Sequence, residues 1–407
     1  MIIFIWTLGK IGYIISNVDN EVNIMANIFL TPAKIISGSG ALKLAAADLS
    51  NCGKKAFVVT DAMMVKLGNI KLLEDVLNDA GIAYTIFPEV NSEPDDLIVI
   101  KAAEAYKENG CDFLIALGGG SPIDTAKALS VLLASDDKLS SYMGKIIDIK
   151  RPALAAIPTT AGTGSEATKF TIINDTETKT KMLLTGPCLI PDLAIIDPQF
   201  TMSAPKSVTS HTGIDALCHA VESYTSRKAQ PLSDSFALSA IKRIFNNLQK
   251  CYDDGQNEAA RIQMSLAALE AGISFNNSSV TIVHGMSRPM GALFHVPHGL
   301  SNAMLLEECM NYVVDGAYDR FADIARYLGF AKDEDDKRAS EIFLQKLHEL
   351  LVGLNVPTMS EYGIDRESYF SCIDKMANDA FASGSPSNTI KTIEVADMVE
   401  LYKKIYS

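Results

Sequence analysis

Residues 113–127 read FLIALGGGSPIDTAK, and this stretch decides the fold. Phe113 to Leu117 are five consecutive apolar residues without polar alternation, the pattern of a strand buried on both faces. Three glycines follow directly. Gly118, Gly119 and Gly120 let the backbone turn sharply and approach a ligand closely. Ser121 suits a helix N-cap and Pro122 the first helical position. Backbone N–H groups freed at such a turn, together with the helix dipole, favour a phosphate. A tight strand-to-helix turn without any ligand makes the same local demands.

The same grammar extends outward. Residues 56–60, 84–87 and 153–157 are short, apolar or β-branched runs, and helix-length stretches at 62–80 and 95–109 lie between strands. Strands alternating with helices predict an α/β domain with a parallel, Rossmann-like sheet covered on both faces. After about residue 205 strand-like runs become scarce. Helical periodicity dominates at 213–227, 232–250, 257–274, 299–313, 316–328, 335–352 and 392–405, which predicts an all-helical second domain. A chain of 407 residues is long for one core, so two domains are expected, over 25–205 and 206–407.

Composition narrows the class. Hydrophobic residues make up 48% and charged residues 21%, ample for a large core. The net charge of -13, with no basic cluster, argues against nucleic acid or an anionic membrane as a partner. Seven cysteines, an odd number with no CxxC pair, read as reduced thiols in a cytoplasmic protein. The apolar runs at residues 2–6 and 11–16 are split by Lys10 and are too short to span a membrane. They also lack the charge order of a signal peptide. Residues 1–24 are expected to be an extension that adds nothing to the fold, with a plausible restart at Met25.

A second polar turn follows residues 153–157. Residues 158–166 read PTTAGTGSE, and Thr159, Thr160 and Thr163 with two glycines form a nest able to hold ribose, pyrophosphate or carboxamide groups. Two such turns at strand carboxyl ends match the ligand crevice of open α/β sheets. The usual GxGxxG fingerprint is missing. Asp61, after residues 56–60, is placed to accept hydrogen bonds from ribose hydroxyls and to repel a 2′-phosphate, which favours NAD over NADP. An Asp there also caps the next helix in many proteins.

Only six histidines occur, and five lie between residues 211 and 298. Asp215 and His219 are four apart, one turn along one helical face. His284 and His298 are each followed by a glycine, which leaves room for an ion. One carboxylate and three imidazoles without a thiolate suit Fe²⁺ or Zn²⁺. Each histidine alone also fits a core or interface role.

Four motifs carry a resemblance. GGGSPIDTAKA, PTTAGTGSEAT, TGIDALCHAVE and IVHGMSRPMGALFHVPHGLSNAMLL resemble, in order and spacing, the iron-containing (group III) alcohol dehydrogenases, over residues 25 to 407. The resemblance implies a dehydroquinate-synthase-like α/β dinucleotide domain and a helical metal domain. It implies metal ligands Asp215, His219, His284 and His298, the two histidines of the last motif acting in catalysis through the metal. It implies NAD contacts from Asp61, Gly119, Gly120, Ser121, Asp124, Thr159, Thr160, Thr163 and Lys181. Phe170, Phe275 and Phe381 fall at substrate-pocket positions, for a short-chain alcohol, diol or aldehyde. A homodimer or larger assembly is implied as well.

Three departures stand out. Arg288 occupies the place of a frequent second histidine and cannot act as a neutral base. It could attract an anionic substrate group, which leaves a hydroxy-acid dehydrogenase open as an alternative. Ser385-Pro386-Ser387 replaces the family's NPR, and Glu93-Pro94 its Asn-Pro. A lyase on the same scaffold would need more Lys/Arg near the ligands than this chain offers.

Overall fold

The computed structural model describes residues 26–90 and 93–407; the expected extension at 1–24 lies outside them. The first half runs β1 (Lys34–Ser37), α1 (Ala41–Leu44), α2 (Ala46–Cys52), β2 (Lys55–Val59), α3 (Ala62–Lys66), α4 (Asn69–Asp79), β3 (Ala83–Phe87), α5 (Asp96–Glu108), β4 (Phe113–Gly118), α6 (Gly120–Leu132), β5 (Leu154–Pro158), β6 (Phe170–Asp175), β7 (Thr180–Thr185) and β8 (Leu193–Ile196). The second half is helical: α7 (Lys206–Tyr224), α8 (Pro231–Asp253), α9 (Glu258–Asn277), α10 (Ile282–Phe294), α11 (His298–Val313), α12 (Tyr318–Leu328), α13 (Asp336–Gly353), α14 (Arg366–Ala382) and α15 (Val395–Lys404).

Six strands form one parallel sheet in the order β1-β8-β5-β4-β2-β3, and β6 and β7 form a separate antiparallel hairpin. The apolar runs explain themselves by alternation. Phe57 and Val59 of β2, with Leu114 and Ala116 of β4, enter one core, while Ala56, Val58, Phe113, Ile115 and Leu117 enter the core on the opposite face. A strand buried on both faces has no polar side to show. The helical half closes around a single large core.

Chain order along the sheet reverses between β2 and β4, because β3 lies beyond β2 and later strands stack beyond β4. Ligand crevices of open α/β sheets lie at such a reversal, outside the strands' carboxyl ends. Gly118 at the end of β4 is in register with Pro158 at the end of β5. The two turns singled out in the sequence therefore leave the sheet side by side, and Thr159 N–H donates to Gly118 O at 3.0 Å.

Several expectations are revised. The stretch 62–80 is two helices, broken at Gly68 in the left-handed region (φ 78°). The α6 helix is capped by Gly119 and starts at Gly120, so Ser121 is inside its first turn and not at the N-cap. Helices α10 and α14 and the β6–β7 hairpin extend the pattern read from the sequence. Among the described residues no helix is long and apolar enough to cross a membrane.

Candidate functional site

Three ligand candidates converge. Asp215 and His219 lie one turn apart in the middle of α7, and His284 and His298 lie in the first turns of α10 and α11. Asp215 Oδ1 is 3.5 Å from His284 Nε2 and 3.8 Å from His298 Nε2. One donor atom each from Asp215, His284 and His298 falls within 4.8 Å of the others. Donors held ~2.1 Å from one ion at tetrahedral angles stand ~3.4 Å apart, so these spacings fit a first-row divalent cation. His219 adjoins the group. Its ring stacks on His284 at 4.4 Å and on Phe275 at 4.3 Å, and its buried Nδ1 has no hydrogen-bond partner.

Close backbone approach makes this convergence possible. A Cβ on Gly299 would fall 2.6 Å from His211 O on α7, so only glycine lets α11 bring His298 against Asp215. A Cβ on Gly285 would meet Pro386 at 2.7 Å, which puts the Ser385-Pro386-Ser387 loop directly against the helix turn carrying His284.

The electrostatics favour a cation. Burial would raise the Asp215 pKa, but the neighbouring His219, His298 and His284 outweigh it and hold the carboxyl well below its usual range. His284 is raised to about 9: burial opposes its charge, and Glu222 and Asp215 overcome that. His219 is pushed down to about 3, first by burial, with His284 and His298 adding and Asp215 opposing. Two buried carboxylates thus draw one positive charge into the group, and a divalent cation answers the same demand. Carboxylate plus imidazoles, with an orphaned imidazole nitrogen beside them, fits Fe²⁺ or Zn²⁺.

Glu222 and Asn302 complete the centre, and neither was singled out in the sequence. Glu222 is fully buried on α7. One of its oxygens accepts from Thr281 Oγ1 at 2.8 Å and Val283 N–H at 2.6 Å, and the other bonds His284 Nδ1. With an ion in place, that bond would keep a proton on Nδ1 and leave the Nε2 lone pair for the ion. Asn302, fully buried in the second turn of α11, donates from Nδ2 to Asp215 Oδ1 at 2.6 Å. Glu222 is seven residues after Asp215 and three after His219, on one helical face, and that spacing was the available signal.

Across the cleft, the glycine-rich turn faces the threonine turn. Cβ atoms built on Gly119 and Gly120 would lie 3.6 Å from Thr160 and 3.3 Å from Thr163. Thr160 Oγ1 is buried with no partner. A cradle of small residues at a helix N-terminus, with an orphaned hydroxyl, fits a dinucleotide pyrophosphate. Asp61 N-caps α3 by accepting from Met64 N–H at 2.9 Å. Asp124 Oδ2 accepts from Ile172 N–H at 3.1 Å, which ties α6 to β6. Lys181 pairs with Glu93 at 2.7 Å, so the Glu93 departure engages the very lysine the resemblance assigns to the cofactor.

The pocket candidates separate. Phe275 is in contact with His219. Phe170 starts β6 under the Lys169 ammonium, and Phe381 is 47% exposed on α14. Arg288, one turn after His284, is half-buried and makes no hydrogen bond or ion pair among the described residues. Its charge helps lower His298 to about 4, behind burial and His284 and against Asp215. His295 is exposed in the left-handed cap of α10.

Comparison with known proteins shows the family. Residues 32–198 match the iron-containing alcohol dehydrogenase family, and residues 209–406 match its C-terminal region. The NAD-dependent methanol dehydrogenase of Bacillus methanolicus is 33% identical over 93% of this chain and 99% of its own. The crystal structure of a 1,3-propanediol oxidoreductase superposes with a TM-score of 0.91 at 30% identity, covering 94% of this chain and 100% of that one. Sulfoacetaldehyde reductase from Bifidobacterium kashiwanohense, solved with NAD⁺, gives 0.84 at 27% identity over 94% and 99%. Matched in both halves and along nearly its whole described length, the chain belongs to the iron-containing alcohol dehydrogenase family.

Proposed function

We propose that this enzyme is an NAD(H)-linked, metal-dependent oxidoreductase that interconverts short-chain primary alcohols or diols and aldehydes. The observation that carries the reading is the convergence of Asp215, His284 and His298 on one point beside the cofactor crevice. Asp215, His219, His284 and His298 would hold the ion, Fe²⁺ with Zn²⁺ accommodated. The ion supplies Lewis acidity toward the substrate oxygen, and NAD supplies the hydride acceptor.

The chain's own part is orientation. Backbone N–H groups at Gly119, Gly120 and Ser121 receive the pyrophosphate, and Thr159, Thr160 and Thr163 offer hydroxyls to the ribose and carboxamide side. Asp61 faces the ribose and disfavours a 2′-phosphate, hence NAD. Asp124 supports this turn from behind by tying α6 to β6, and Lys181 stands at the crevice mouth with Glu93. Phe275 and Phe170 wall a small substrate space, with Phe381 toward its rim. The labour divides between residues 25–205 for cofactor and 206–407 for metal. The family resemblance supports a homodimer or larger assembly, and seven free thiols fit a cytoplasmic setting.

Arg288 favours a second reading, in which the substrate carries an anionic group. Among the described residues the Arg288 guanidinium has only the attraction of Glu222 against the cost of its burial, and an anionic ligand would offset that cost. NADH oxidation by the metal-loaded enzyme with matched neutral and carboxylate- or sulfonate-bearing aldehydes decides between the two. Under the second reading Arg288→Met raises KM for the anionic aldehyde by about tenfold or more, the loss of one charged hydrogen-bonded contact. An equal effect on both aldehydes leaves the neutral class standing. No NADH oxidation with any aldehyde overturns the reading as a whole.

A further inference from the structure

Asn276, in the last turn of α9, is 1% exposed and joins three segments of the chain. Its Oδ1 accepts from Lys169 N–H at 2.8 Å, and its Nδ2 donates to Leu30 O at 3.0 Å. Its own backbone carbonyl accepts from the Lys169 ammonium at 2.8 Å. The link to Lys169 is therefore reciprocal, backbone to side chain in one direction and side chain to backbone in the other. A cation at the last turn also meets the negative end of the α9 dipole.

The segment that Asn276 holds is gripped by the other half of the molecule as well. Lys127, fully buried on α6, donates its ammonium to Thr168 O at 2.8 Å, to Thr168 Oγ1 at 2.9 Å and to Phe170 O at 2.8 Å. Those three bonds use all three donors of the lysine. Breaking any of them strands a buried partner, so residues 168–170 have little freedom. Two aromatic side chains flank the joint. Phe170 follows Lys169, and Phe275 precedes Asn276 and stacks on His219 at 4.3 Å. No single element carries both rings, and the Lys169–Asn276 pair is the polar joint next to each.

We infer that Asn276 is a positioning residue for substrate selection. By fixing Lys169 against the end of α9 it sets the separation of the Phe170 and Phe275 walls, and with it the width of aldehyde the enzyme accepts. This rests on the substrate space proposed above and deepens it, because the selectivity then comes from a buried amide outside that space. One carbon more or less in an apolar pocket is worth about 10- to 200-fold in kcat/KM. Walls that yield lose that discrimination.

The test is the ratio of kcat/KM for butanal to that for its branched isomer 2-methylpropanal, measured with the metal-loaded full chain at saturating NADH. The wild type is expected to favour the linear isomer. Asn276→Leu removes both side-chain bonds and should lower the ratio by about tenfold. Asn276→Asp keeps an acceptor for Lys169 N–H while losing the donor to Leu30 O. It should melt lower and still keep the wild-type ratio. Asn277→Ala cuts only the bonds to Leu30 and Ile273 and should also leave the ratio unchanged. A loss of active enzyme lowers both rates together and does not move their ratio, so the ratio separates positioning from mere stability. Lys169→Met leaves the buried amide in place and should lower the ratio in the same direction, and it decides the matter if the leucine variant does not fold. A wild type indifferent to branching, or an unchanged ratio in Lys169→Met and in folded Asn276→Leu, overturns the proposal. Absence of NADH oxidation with either aldehyde in the wild type is instead a failure of the proposed activity, and this inference falls with it.

Discussion

Glu222 touches no ion, yet it sets which nitrogen of His284 is free. Burial works against its charge, and His284, Thr281 and the Val283 N–H hold it ionised nonetheless. Glu222→Gln keeps one acceptor oxygen but removes the charge and turns an NH₂ toward existing donors. Metal affinity, measured by competition with a chromophoric chelator, should fall about 10–100-fold; an unchanged affinity would remove Glu222 from the account. Glu166 is a second buried acid, in the threonine turn, with an unpartnered Oε2. Burial raises it from 4.5 to about 7, against the opposing pull of Lys127. Between pH 4.5 and 7 the unfolded chain has given up this proton while the native chain keeps it. The contribution of Glu166 to stability is therefore fully present below pH 4.5 and is lost as pH rises through 7. Thermal melts of Glu166→Gln should lose that slope, worth up to about 3 kcal/mol; parallel wild-type and variant curves would contradict it. Asp215 and His219 were legible from their helical spacing, and His284 and His298 only through the motifs that carry the family resemblance. Glu222 and Asn302 were not, since a Glu or Asn within a helix is common and only the tertiary fold aims it inward.

At the scale of elements, the site depends on how closely the turns press on the helical half. Gly164, in the left-handed region (φ 62°), lies against Gly272 in the middle of α9. A Cβ on Gly272 would stand 2.7 Å from Gly164 O. Gly272→Ala must push the threonine turn off α9, at a cost of about 1–3 kcal/mol. It should also raise KM for NADH, because Thr160 and Thr163 move with the turn; an unchanged melt and unchanged KM would contradict the contact's role. Strands β2, β4 and β5 were readable within a residue or so because burial on both faces removes every polar interruption, whereas β3, a half-buried edge strand, was readable from its aromatic and β-branched residues. The α10 helix was not, because Gly285, Pro289 and Gly291 all read as breakers. Pro289 lies inside it, and the helix survives through apolar packing of Ile282, Val283, Met286 and Met290. Strands β1 and β8 have only four residues each, too short for a pattern. The β6–β7 hairpin hid among charged and Thr-rich residues, with Ile172 and Leu183 facing outward.

For the whole molecule, the arrangement is a parallel sheet that ends in two adjacent polar turns and a helical bundle in which Asp215, His284 and His298 converge with His219 beside them. Fold class was legible because helix and strand periodicities separate cleanly near residue 205. What periodicity leaves open is the meeting of the halves, which depends on single glycines such as Gly164, Gly272 and Gly299. The central claim is that the ion held at Asp215, His219, His284 and His298 is required for NADH-linked aldehyde reduction. The most direct measurement pairs metal content with NADH oxidation in wild type and His284→Ala, both loaded anaerobically with Fe²⁺ and gel-filtered. The expected result is one Fe²⁺ per chain and aldehyde-dependent NADH oxidation in the wild type, and neither in the variant, with both still folded by circular dichroism. Retention of metal and turnover by His284→Ala, or full turnover by metal-free wild type, would contradict it.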